Sequence, residues 1–213
     1  MTPAPPLILV GYGGHGLVVA AAALAAGRRV RGYCDRAERA GSDPFALPYL
    51  GPEDAAFDRP RDEEYFVAVG DAATRRRLDD RLGRGCGARL AAAVVHPSSH
   101  VEPTARVAAG AVICAGAVVQ PLADVGRCAI VNTGARVDHE CVLGAYAQVG
   151  PGAVLSGRVS LEAGAFAGAG ATILPGLNVG AGATLGAGAV LTRDLPDGET
   201  WVGNPARPIS RRP

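Results

Sequence analysis

The chain has 213 residues, enough for one large domain or two small ones with a real core, which excludes a disordered tail protein. Its 21 basic residues, all Arg because Lys is absent, balance 20 acidic ones to a formal net charge of +1, so there is no broad electrostatic footprint for nucleic acid or anionic lipid. Gly at 30 residues with only 5% aromatics is poor material for an ordinary core and suits a repeat packed with small side chains.

The first ninety-odd residues read as a small α/β unit. Leu7 to Val10 is a short buried strand that runs into Gly11-Tyr-Gly13-Gly14-His15-Gly16, followed by a helical run from Leu17 to Ala26 closed by Gly27 as a left-handed cap. A second strand, Val30 to Cys34, ends at Asp35, and a third, Tyr65 to Val69, ends at Gly70. Asp71 caps a polar helix through Leu82, and Ala88 to Val95 is the last strand before His96-Pro97. The order predicts a small Rossmann-like parallel sheet over 1–95.

Gly11, Gly13 and Gly16 form GxGxxG between a strand and a helix, with Asp35 nineteen residues past Gly16. Glycines there let backbone approach a pyrophosphate at a helix N-terminus, and the acid meets a ribose hydroxyl. A full dinucleotide fold needs two mononucleotide halves, and ninety-odd residues hold one half plus a strand. A nucleotide carried by something else, such as a sugar, fits better than NAD. Glycines that serve only a tight turn are the structural alternative.

From Val101 a step of six residues meets Val, Ile or Leu at fifteen of sixteen positions up to Leu191, Ala167 being the exception. Four residues after each aliphatic, from Ala105 to Ala189, twelve of fifteen positions are Ala, the others being Cys141, Val159 and Leu177. A period of six fits neither a helix nor an isolated strand; it describes a strand and a corner, three of which close an 18-residue triangular turn. Residues 96–192 are therefore predicted to form a parallel β-helix of about five coils, roughly 25 Å tall at the usual strand spacing. Residues 193–213 read as a C-terminal coil, in which Arg193, Arg207, Arg211 and Arg212 are either solvated charges or contacts for a phosphate.

Chemistry in the coils is sparse. Of four His, only His139 lies among the hexads, so imidazoles cannot converge on a zinc or iron ion, and no metal is expected. Asp138 and Glu140 flank His139 and are expected to orient the ring and favour its protonated form, which suits a general base for acylation of an amine or hydroxyl. One coil on, Gly157 occupies the equivalent position, where an uncovered N–H can meet an oxyanion. Pro151, Ala169 and Ala187 form a second smooth column for a thin ligand arm. Cys141 occupies the small-residue position of its hexad, which marks it as packing rather than a nucleophile. Five Cys in no CxxC arrangement indicate neither a disulfide framework nor a thiolate metal site, and a reducing cytoplasm is expected. The ten-residue apolar run at Leu17 to Ala26 is too short to span a bilayer, so neither a membrane span nor a signal peptide is expected.

These motifs, with Tyr33-Cys-Asp35, Phe66-Val-Ala-Val-Gly70, Val131-Asn-Thr-Gly134, Val137-Asp-His-Glu-Cys141, Pro151 to Gly157 and Gly203-Asn-Pro-Ala-Arg207, give the chain a resemblance over nearly its full length. It resembles the bacterial sugar acetyltransferases of the left-handed β-helix class, which N-acetylate nucleotide-linked 4-amino-6-deoxy sugars such as UDP-bacillosamine precursors or GDP-perosamine. Related members are called sialic acid O-acetyltransferases. The resemblance implies acetyl-CoA as co-substrate and a homotrimer with acetyl-CoA lying between two prisms. It implies His139 as base and Glu140 as the neighbour that raises its basicity. Gly157 would offer its amide to the thioester carbonyl, Ala169 and Ala187 would line the coenzyme A arm, and Gly13, Gly14, His15, Asp35 and Gly70 would contact the nucleotide-sugar. Two positions depart from the family. Gln148 stands where a second His is frequent, which implies a retained acyl contact without proton transfer. Arg36 stands where some relatives have a second acid, and a cation there favours different base or phosphate contacts. O-acetylation of a free sugar acid, an NAD-dependent oxidoreductase and a ligand-free scaffold solenoid are the competing readings.

Overall fold

The computed structural model describes residues 4–56, 62–85 and 89–209. Contacts divide the chain into two compact units, Met1–Pro97 and Ser98–Pro213.

The first unit is a four-stranded parallel sheet. Strands β1 (Leu7–Val10), β2 (Val30–Cys34), β3 (Glu64–Val67) and β4 (Arg89–Leu90) lie in the order β2-β1-β3-β4. Helix α1 (Gly14–Ala25) links β1 to β2, and α2 (Ala72–Gly85) links β3 to β4. All four residues of β1 are at most 2% exposed, as a strand covered on both faces must be. Ile8 and Val10 face a cluster with Tyr65, Val67, Leu78 and Leu82, which docks α2 through its apolar stripe. At the foot of α1 Gly27 takes φ +71 as the expected left-handed cap. Asp71 accepts a 2.8 Å bond from the Thr74 amide and so caps α2. The single last strand expected over 88–95 is instead two short ones, Arg89–Leu90 and Val94–Val95; Ala88 lies outside the described residues.

The second unit is a solenoid of two-residue strands stacked in parallel register, eighteen residues apart. Arg136–Val137, for example, pairs with Val118–Val119 below and Val154–Leu155 above. The hexad aliphatics point inward, and Val119, Val137, Leu155 and Ile173 are all 0% exposed. The small residue four places on is equally buried, as Ala135, Ala147, Ala153 and Ala171 show, because it lies inside the bend where a larger side chain would overpack. Three residues after each aliphatic the backbone turns through positive φ at every hexad from Gly110 to Gly188. Nine of these fourteen positions are Gly, and the other five are Leu122, Cys128, Glu140, Tyr146 and Arg158. An L side chain there costs about 1 kcal/mol, so each of the five needs a reason for being present.

The segment 193–213, expected as coil, contributes structure. Thr200–Val202 adds a parallel strand beside Thr184–Leu185, with Trp201 in register with Leu185, and Arg207–Pro208 folds back antiparallel on it. Trp201, 4% exposed, covers the end of the aliphatic stack; its Nε1–H donates to Glu199 at 2.7 Å and the Arg193 guanidinium lies 4.8 Å from its ring centre. An open solenoid end exposes unpaired strand groups and apolar side chains, and this turn covers them. The hexad period is lost after Leu191 because the closing turn is shorter, which hid it from a step-of-six reading. Arg211 and Arg212 lie outside the described residues.

Candidate functional site

In the first unit, a cleft of about 370 Å³ opens at the carboxyl ends of β1, β2 and β3. The chain leaves β1 toward β2 on one side and crosses to β3 on the other, so the cleft lies at the switch point where doubly wound sheets bind ligands. Its lining brings together Gly13, Gly14, His15, Asp35, Arg36 and Gly70, the residues expected from the sequence.

The glycines divide by role. A Cβ on Gly11 would overlap Val69, and one on Gly16 would meet the Gly11 carbonyl oxygen at 2.8 Å, so both serve packing. A Cβ on Gly13 or Gly14 would meet no protein atom within 4 Å, so these two keep open space above the first turn of α1. That turn points unpaired amides and its positive dipole end outward, a setting for phosphate.

Asp35 is partly engaged: one oxygen accepts the Tyr12 amide at 2.7 Å and the other the Arg36 amide at 2.7 Å, tying the end of β2 to the glycine loop. His15 is half-buried, with Nε2 sealed from solvent and without a partner among the described residues. Burial first, then the Arg75 charge, push its pKa down to about 4, so the ring is neutral near pH 7. Arg75 is 1% exposed and donates to the carbonyl oxygens of Val69 and Gly70 at 2.8 and 2.7 Å, which fixes the loop after β3. Sequence reasoning missed Arg75, because nothing distinguishes it from Arg76 and Arg77 until the fold buries one of the three. It also missed Glu53, which opens the short helix Glu53–Ala56 and lines the cleft.

In the second unit, His139 and Glu140 form the corner after Arg136–Val137. The His139 amide donates to Asp138 at 2.7 Å, and His139 Nδ1 lies 3.0 Å from Glu140 Oε2. Glu140 takes φ +57, the left-handed position of its hexad, and this strained backbone turns its carboxylate toward the preceding ring. An ionised carboxylate only accepts, so the contact selects the neutral tautomer with the proton on Nδ1 and the lone pair on Nε2. One coil on, a Cβ at Gly157 would collide with Nε2 and with Cε1, placing the Nε2 edge of the ring directly over that glycine. Gly157 is buried, and its N–H donates to no atom of the described residues, whereas the next amide, Arg158, bonds the His139 carbonyl oxygen at 2.9 Å. The Nε2 edge of the ring and an N–H without a partner among the described residues thus lie at one corner of the prism. Cys141 is fully exposed to none of it: it is 0% exposed, its thiol donates to Ser156 O at 3.2 Å, and burial pushes its pKa up, so it is packing.

The other expected acetyl-CoA residues do not join this corner. Gln148 lies on a second sheet of the prism, and Ala169 and Ala187 lie at the corner that follows that sheet, one and two coils further on. Within one prism they form a separate edge from His139 and Gly157. Among the described residues no three His, Cys, Asp or Glu side chains are grouped to hold a metal ion, and no helix is long and apolar enough to cross a membrane.

A nucleotide-type cleft on a parallel sheet and a hexapeptide solenoid with a His-carboxylate corner define a β-helix acyltransferase. The comparisons agree. Residues 6–82 match the PglD N-terminal domain. A variant of perosamine N-acetyltransferase from Caulobacter crescentus, solved with CoA and GDP-perosamine, is 34% identical, with 97% of each chain covered and a TM-score of 0.90. The acetyltransferase domain of PglB from Neisseria gonorrhoeae, solved with acetyl coenzyme A, is 37% identical over 96% of this chain and 99% of that one, also at 0.90. WeeI from Acinetobacter baumannii is 26% identical over 96% and 99%, at 0.85. No curated protein sequence is a significant match. The chain belongs to the left-handed β-helix acetyltransferases that carry a PglD-type N-terminal domain, and it is an acetyltransferase.

Proposed function

We propose that the protein transfers the acetyl group of acetyl-CoA to the 4-amino group of a nucleotide-linked 4-amino-6-deoxy sugar. The observation that carries this reading is the packing of the His139 Nε2 edge directly over Gly157, whose N–H is unused among the described residues, with Glu140 on the Nδ1 side of the ring. The amine nitrogen attacks the thioester carbonyl carbon, a C–N bond forms, and Nε2 takes the amine proton. Glu140 stabilises the imidazolium through Nδ1–H, and the Gly157 N–H binds the oxyanion. Collapse breaks the C–S bond, and the imidazolium returns its proton to the departing sulfur. No acyl-enzyme forms. The cleft of the first unit holds the nucleotide, with the diphosphate over Gly13 and Gly14. The neighbours solved with CoA, acetyl coenzyme A and GDP-perosamine support both halves of this reading.

The separation of Gln148, Ala169 and Ala187 from the His139 corner supports a homotrimer. Acetyl-CoA that touches both edges spans two prisms packed side by side, with Gln148 hydrogen-bonding the acyl end. The buried Cys34, Cys114, Cys128 and Cys141 thiols suit a reducing cytoplasm, where acetyl-CoA is made.

The test is mass spectrometry of products after mixing the protein with acetyl-CoA and UDP-, GDP- and dTDP-linked 4-amino-6-deoxy sugars and free sialic acid. Gain of one acetyl on a nucleotide-sugar, lost in His139→Ala, is the expected result. Acetylation of free sialic acid alone, or full activity in His139→Ala, overturns it.

A further inference from the structure

Two charged side chains share the cleft wall: Arg36, for which the sequence left base and phosphate contacts open, and Glu53, which has no role so far. Arg36 follows β2, and Glu53 opens the short helix that the chain forms on its way to β3. Both line the cleft. Arg36 Nε lies 3.7 Å from Glu53 Oε1, beyond hydrogen-bond distance, so each attracts the other while leaving its hydrogen-bonding capacity unspent. The Arg36 side chain is 74% exposed, free to reorient over a ligand, whereas Glu53 is 18% exposed and held in the wall. They lie at the β2 end of the cleft, away from the open space over Gly13 and Gly14 where a diphosphate fits. In a mononucleotide fold this is the end that receives the ribose and base.

A guanidinium beside a carboxylate presents donor, acceptor, acceptor in a row. Guanine presents the complement along its pairing edge: the O6 acceptor, the N1–H donor and the N2–H donor. Uracil and thymine present acceptor, donor, acceptor, so their second carbonyl would face a carboxylate oxygen with no proton between them. Cytosine and adenine begin with an amino group that would face the guanidinium. We propose that the Arg36–Glu53 pair reads guanine, and that the sugar this enzyme acetylates is carried on GDP. The inference rests on the nucleotide-sugar reading and adds the base to it.

Isothermal titration with GDP, UDP and dTDP, each alone, tests the pair without the sugar. GDP is expected to bind at least about tenfold more tightly than either pyrimidine nucleotide, the scale of one well-placed bidentate base contact. Glu53→Gln replaces one acceptor by a donor and converts the row to donor, acceptor, donor. That variant is expected to lose GDP affinity by a similar factor and to gain affinity for UDP and dTDP. Equal or tighter binding of UDP or dTDP by the unaltered protein, or an unchanged preference in Glu53→Gln, overturns the base assignment while leaving the nucleotide role standing. Absence of binding by all three overturns the nucleotide role and the base assignment together.

Discussion

Gly157→Ala tests the His139 corner with a single methyl group. Gly157 has no positive φ, so Ala is acceptable to the backbone, and the perturbation is purely one of space. The added Cβ would stand 2.5 Å from His139 Cε1, where ordinary contacts begin at 3.4 Å, so the ring must retreat by about 1 Å. A retreat of that size takes Nδ1 off its 3.0 Å contact with Glu140 and Nε2 off the incoming amine. Misplacement by 1 Å in a reacting pair costs about 10²-fold in rate, and loss of a general base costs about 10² to 10⁴-fold. Because the ring is an exposed side chain, folding stability is expected to change by less than about 0.5 kcal/mol. The assay is the acetyl-transfer rate by mass detection, beside thermal melting and acetyl-CoA binding. The double variant with His139→Ala separates two causes. If the methyl acts by displacing the ring, it adds nothing once the ring is gone. Wild-type rates in Gly157→Ala, or a double variant slower by the product of both losses, would refute the placement of Nε2 over Gly157.

Two further outcomes follow from burial. Cys141→Ala is expected to keep the acetyl-transfer rate within about twofold and to cost about 1 kcal/mol in a denaturant melt, since the thiol only fills the bend; loss of activity would return Cys141 to the mechanism. The His15 ring is neutral in the fold with a pKa of about 4, against 6.5 when unfolded, so its contribution is fully present above pH 6.5 and is lost as pH falls toward 4. The loss amounts to at most about 3 kcal/mol, and His15→Gln should flatten that part of the stability curve measured by urea melts between pH 7 and 4. A curve of equal slope in the variant would show that His15 is solvated.

The candidate sites of the two units differ in how far the sequence discloses them. The His139 corner was legible because a hexad repeat is a ruler: eighteen residues is one coil, so Gly157 must stack on His139 whatever the rest of the chain does. The same ruler set Ala169 and Ala187 in a second column with Pro151, since the twelve residues from Gly157 to Ala169 are two sides and not a whole turn. It could not show that Glu140 takes the left-handed corner conformation. Five of the fourteen such corners lack glycine, so residue type alone does not mark them.

The first unit carries no such ruler. Its glycine loop and the acid at the end of β2 are local signals, set by what backbone must do between a strand and a helix, and the sequence alone determined them together with the solenoid and its inward aliphatics. Which glycines border open space, which of three consecutive arginines is buried beneath Gly70, and that Glu53 meets Arg36 at one end of the cleft were decided by tertiary structure. Those facts depend on sheet order, which brings residues distant in sequence to one edge, and no local preference of the chain encodes which of them will meet.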